Sequence, residues 1–251
     1  MEASLAVRQP SAVRPFNTWD AAKLLALALM FIDHAGYFFF SDDLWLRAIG
    51  RGAAPIFLFL AGFAASYRFK WDIFLLGAVM SASDVLLTGH LRTQNILITI
   101  LICRAIFRWL EKRGRKIERP YEWYICALAL TITIAFVQYG SYGFLFALCG
   151  YLQRPDHGYP QALQRHFRFL TFITYGVIQA ACFEFSWFST LVMTAVLGGV
   201  HALLSHMEIR PVDTSRWPAG LAQAAKLASY YTGYLYAFHL IALEWMTGLP
   251  F

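Results

Sequence analysis

Apolar residues run along this chain in nine stretches, approximately 22–40, 48–67, 72–89, 95–110, 122–138, 140–153, 167–184, 186–205 and 227–247, each set off by a short polar segment. A helix that crosses the hydrocarbon core of a bilayer needs about 20 mostly apolar residues, and shorter spans occur. The pattern predicts an all-α, polytopic transmembrane bundle of about nine spans, with 140–153 the shortest. The longest gap, about 205–226, has room only for a loop. Residues 22–251 therefore read as one integral-membrane domain behind an arm of residues 1–21.

The polar gaps alternate in charge, and this predicts orientation, because basic residues in short loops stay on the cytoplasmic side. The arm carries Arg8 and Arg14; the second gap has Arg68 and Lys70. The fourth has Lys112, Arg113, Arg115, Lys116 and Arg119, the sixth Arg154, Arg165 and Arg168, and the eighth Arg210, Arg216 and Lys226. Intervening gaps are poor in basic residues: Asp42, Asp43 and Arg47 in the first, His90 and Arg92 in the third, Glu184 at the seventh. The expected N-terminus is cytoplasmic and the C-terminus external. Residues 1–21 lack an apolar signal region, so the first span is expected to direct insertion.

Composition agrees. Of 251 residues, 59% are hydrophobic, 17% aromatic and 14% charged, with mean hydropathy +0.50. Soluble domains hold about 45–50% apolar and about 25% charged residues. A net charge of +6 is accounted for by the loops and by anionic membrane lipid, so no nucleic-acid partner is needed. Cys103, Cys126, Cys149 and Cys182 each sit alone within a span and suggest packing rather than a disulfide framework. Neither a nucleotide-binding glycine loop nor an internal repeat is visible.

Candidate chemistry lies with polar residues at membrane depth, which usually face a protein interior or a water-filled path. Lys23 and His34 are eleven positions apart, so they share one helix face about 16 Å apart along the axis. That stripe, with Met30 on it, suits a long anionic ligand whose reactive end enters the bilayer. Asp33 points toward a different helix. Asn17-Thr18-Trp19-Asp20 reads as the cap of this span, with Trp19 at the interface. Arg51 is expected to be embedded and neutralised by Asp33, Asp42 or Asp43, whereas Arg47 reads as an interfacial side chain. Glycines and alanines from Gly50 to Ala54 would allow a close helix approach.

Asp84 has no basic residue within a turn and needs a partner on another helix or a proton. Asn95, Thr99 and Gln138 read first as inter-helix hydrogen-bonding groups. In the last span Thr232, Tyr236 and His239 share one side, which makes His239 the second histidine of interest and His201 a third. No pair of histidines has metal-ligand spacing such as HExxH, so no metal is expected.

Several of these segments resemble the TraX family, the pilin N-acetylases of conjugation systems. The first span, from Lys23 to Asp33-His34, resembles the family opening, and Arg47 through Phe63 resembles its second span. Gln94-Asn95, Tyr139-Gly140 and the terminal stretch through Tyr236 and His239 are similar to later segments, and the nearest likeness is to TrbP-like members of conjugative plasmids. More distantly, the Lys23–His34 spacing resembles membrane acyltransferases of surface polysaccharides. The resemblance implies an acetyl-CoA-dependent N-acetyltransferase in the bacterial inner membrane, with acetyl-CoA as cosubstrate and a pilin subunit of a type IV secretion system as partner. It implies His34, His239 and Asp84 as catalytic groups and Lys23, Arg51, Arg68, Lys70 and Asn95 as coenzyme contacts. The family pattern has glutamate then proline in the third span where this chain has Asp84-Val85, which leaves the role of Asp84 open. His34 is expected to act as a general base or as an acyl carrier. Rival readings are a non-catalytic assembly factor for pilin, or a proton-linked transporter using Asp33, His34, Asp84 and Arg51.

Overall fold

The computed structural model describes residues 15–41, 44–90, 94–130, 132–133, 136 and 138–249. Arg8, Arg14, Asp42, Asp43, Arg92 and residues 1–14 of the predicted arm lie outside them, as does the C-terminal Phe251. The described residues form eleven α-helices: α1 (Thr18–Phe39), α2 (Leu44–Gly50), α3 (Ala53–Phe63), α4 (Trp71–Thr88), α5 (Ile96–Lys112), α6 (Pro120–Ala129), α7 (Gly140–Gln153), α8 (Gln161–Phe183), α9 (Trp187–Ser205), α10 (Leu221–Tyr230) and α11 (Thr232–Thr247). No strand occurs among the described residues. Among the described residues, four segments are long and apolar enough to cross a membrane: α1, α2 with α3 taken together, α4 and α9. Their outward faces present Leu75, Val79, Leu86 and Leu191 to the surroundings, as expected where lipid rather than water is the neighbour.

Local sequence explains most boundaries. Asn17 accepts from the Asp20 amide while Asp20 accepts from the Asn17 amide, a reciprocal cap that starts α1 as predicted. Three predicted spans differ. The second is interrupted at Arg51-Gly52, where the Tyr175 hydroxyl donates to the freed Arg51 carbonyl at 3.0 Å. The fifth, expected over 122–138, ends as a helix at Ala129. The last begins earlier, at Leu221, and breaks at Tyr231, so part of the expected 205–226 loop is helical. At that break the Ser229 carbonyl loses its helical partner and accepts instead from Thr232 Oγ1 and Lys23 Nζ, at 2.8 and 3.1 Å.

The centre of the bundle is α3 laid against α7. Their backbones touch: a Cβ on Gly62 would sit 1.7 Å from the Ala147 carbonyl oxygen, and one on Gly150 would sit 2.0 Å from that of Phe59. Such contact needs residues without side chains and is common where helices pack in lipid. Around this crossing Leu58, Phe59, Phe107, Phe146, Leu148 and Tyr151 are almost wholly buried. The basic segments are tied to one another. Arg104 donates to Ser66 and Arg68 carbonyls, Arg154 pairs with Glu111, Lys116 donates to the His157 carbonyl, and Thr18 and Arg210 exchange bonds.

Candidate functional site

α1 runs parallel to α10 and α11, and the Lys23–His34 stripe faces them. Lys23 meets Ser229 at one end of the stripe; at the other, His34 Nδ1 lies 2.6 Å from His239 Nε2. The two imidazoles stack at 4.7 Å between centroids and 16° between planes. His239 Nδ1 is 2.9 Å from the Leu235 carbonyl, which can only accept, so that nitrogen carries a proton. In the neutral pair, His239 Nε2 must then accept from His34 Nδ1–H. His34 Nε2 is left as the basic nitrogen. A helix carbonyl thereby fixes the tautomer of a second, almost fully buried histidine.

One residue back, Asp33 leaves the stripe, as expected, and pairs with Arg51, both of whose contacts to the carboxylate are close. Gly50 permits this approach, since a Cβ there would fall 2.2 Å from Asp33 Cβ. Arg51 also donates to Gln179 and lies over the Phe183 ring at 4.7 Å. Arg47 is buried rather than interfacial, which corrects the sequence reading. It stands 3.5 Å from Asp33 and covers the Tyr37 ring at 5.0 Å, so the embedded carboxylate and aromatic faces hold it inside.

A cavity of about 570 Å³ opens beside the stripe, walled by α1, α3, α4, α5 and α10–α11. Lys23, Lys70 and Arg104 bring positive charge to it, Asp72 one carboxylate, and Leu60, Leu76, Leu97 and Ile100 an apolar lining. Tyr236 closes it toward the histidines, its ring 6.0 Å from that of His34 and 6.2 Å from that of His239. Tyr234 also belongs to the wall.

The remaining expected site residues fall in different places. Arg68 is exposed and offers its carbonyl to Arg104. Asn95 caps α5 through the Leu97 amide and donates to the Gly77 carbonyl at 2.9 Å, so its amide joins α4 to α5. Asp84 is half-buried on α4, next to Ser83, whose hydroxyl accepts from Trp245 of α11. Arg51 is committed to Asp33 and lies outside the cavity wall. His201 is on α9, edge-on to Phe172 and away from the histidine pair. Sequence reasoning missed Arg104. Its only signal was an arginine in the middle of an apolar span, and the fold turns it into the cavity with Nε lacking a hydrogen-bond partner.

An all-helical membrane-type bundle with paired histidines on its first and last helices defines the class of protein. The TraX protein family model matches residues 18–246, nearly the whole chain, and the chain belongs to that family. Over 86 residues it is 35% identical to the uncharacterized protein RP591 of Rickettsia prowazekii, a stretch covering 34% of this chain and 35% of that protein. The chain thus matches about a third of the length of this curated relative. No solved structure matches.

Proposed function

We propose that this protein is an inner-membrane acyltransferase that moves the acetyl group of acetyl-CoA to the N-terminal amine of a pilin subunit. The hydrogen-bonded His34–His239 pair carries this reading, because it supplies an oriented neutral base beside a basic-rimmed cavity. The proposed topology has nine crossings with the N-terminus in the cytoplasm, and it is supported by the bonding of the basic segments to one another.

The cavity suits the coenzyme by the chemistry of its lining. Lys23, Lys70 and Arg104 would hold phosphates by charge-assisted bonds, and the apolar wall would take the pantetheine arm. The unpartnered Arg104 Nε is a donor that a phosphate oxygen would satisfy. Acetyl-CoA supplies an activated thioester. His34 Nε2 would take the proton from the attacking amine as its nitrogen bonds to the acetyl carbon, and return it to the sulfur as the C–S bond breaks. His239, anchored on Leu235, would hold the imidazole in the required tautomer and share the positive charge that forms. Asp33 and Arg51 are structural in this scheme, and Asp84 has no step.

Purified protein incubated with acetyl-CoA and the cognate pilin should raise the intact mass of the pilin by one acetyl group at its N-terminus. Pilin that remains unmodified while still co-purifying with the protein would instead identify a non-catalytic assembly factor.

A further inference from the structure

A second cavity, of about 1140 Å³, lies across the 208–211 segment from the first. The extended chain there alternates, with Ile209 in the wall of the first cavity and Glu208 and Arg210 in that of the second. Four arginines reach the second cavity: Arg154, Arg165, Arg168 and Arg210. Two are compensated, Arg154 by Glu111 and Asp156, and Arg210 by Glu208. Arg165 and Arg168 form no ion pair among the described residues.

Arg168 is the anomaly. It is 3% exposed, and a buried guanidinium without a counter-ion carries a large desolvation cost. A neutral amide positions it: Gln153 Oε1 accepts from Arg168 Nη1, while Gln153 Nε2 donates to the Leu204 carbonyl at the end of α9. Gln153 therefore fixes the guanidinium in direction without cancelling its charge. Arg168 Nε has no hydrogen-bond partner, and neither does His201 Nε2 in the same wall. Arg165, one turn earlier on α8, adds a second uncompensated guanidinium at the exposed rim.

We propose that this second cavity binds a phosphate-ester anion, with Arg168 as the buried contact and Arg165 as the rim contact. Phosphate provides the charge that Gln153 withholds and enough acceptor oxygens for Arg168 Nε and for an N–H at His201 Nε2, which the neutral imidazole supplies in one tautomer. The ester belongs either to an anionic phospholipid headgroup or to a soluble nucleotide. The site is independent of the acyl-transfer reading and stands if that reading fails.

The test uses the full chain in a neutral detergent, titrated separately with phosphatidylglycerol, followed by native mass spectrometry, and with 3′,5′-ADP, followed by calorimetry. At least one probe should bind saturably, with Arg168→Gln weakening it about tenfold or more, as expected for a lost hydrogen bond to a charged group, and Arg165→Gln weakening it less. Arg165 is exposed, so its variant keeps the test valid if Arg168→Gln fails to fold. Loss of phosphatidylglycerol binding identifies a lipid site, and loss of 3′,5′-ADP binding a nucleotide site. Absence of binding by both probes overturns the proposal. So does binding that survives both arginine substitutions, including 3′,5′-ADP binding lost only in Lys23→Ala.

Discussion

Arg51 and Arg168 are both guanidiniums sunk into the bundle, 5% and 3% exposed, but their partners differ in kind. Arg51 has a carboxylate, Asp33, brought against it by a glycine on α2. Arg168 has an amide, Gln153, at the same hydrogen-bonding distance class but with no charge to give. A buried ion pair is self-sufficient and holds helices together; a buried cation held by an amide still lacks an anion. Equal burial can therefore mark a structural brace in one region and a ligand site in another.

The sharpest way to break this contrast is to remove the carboxylate. Asp33→Asn should leave Arg51 uncompensated and cost about 3–5 kcal/mol of stability, read as a loss of folded yield and melting temperature in detergent. The double variant Asp33→Leu, Arg51→Leu should recover most of that loss. An Asp33→Asn protein as stable as the parent would remove the brace.

His34 is the neighbour of Asp33, and its substitution should act on rate and not on folding. His34→Gln should lower acetyl transfer by about 10²–10⁴, while the melting temperature stays near that of the parent. Turnover close to normal would make the histidine pair a packing feature like Asn95.

For Arg168 the expected sign on stability is opposite to that at Asp33. In neutral detergent Arg168→Gln should melt at or above the parent temperature, because it removes an uncompensated buried charge. A fall as large as that of Asp33→Asn would show that Arg168 already has its counter-ion within the fold.

The smallest effect concerns His157, in the turn between α7 and α8 beside the paired Arg154. Burial, foremost, holds its imidazole below the ordinary histidine range, with Nδ1 donating to the Tyr151 carbonyl at 2.8 Å. A depressed folded pKa means the unfolded chain binds the proton more readily, so this contribution is present above about pH 6.5 and shrinks as pH falls below it. His157→Gln, which keeps a donor, should flatten the loss of melting temperature between neutral and mildly acidic pH. An unchanged slope would place the sensitivity in another group.

The sequence determined the helical class and most of the helices, because apolar runs of span length have few other ways to satisfy their backbone in lipid. It also determined the α1 cap, which depends only on residues three apart, and the stripe that sets Lys23 and His34 on one face while turning Asp33 away. α7 was legible end to end from Gly140 to Gln153. Tertiary structure decided what each buried polar group meets. Breaks at Arg51-Gly52 and at Tyr231 are tolerated because Tyr175, Thr232 and Lys23 take the freed carbonyls, and two of those partners, Tyr175 and Lys23, lie far away in sequence. The pairing of His34 with His239, the turning of Arg104 into the first cavity, and the choice of carboxylate for Arg51 but amide for Arg168 follow from which helices pack together. Local periodicity fixes the face on which a side chain emerges; only the neighbouring helix fixes the charge, proton or carbonyl waiting there.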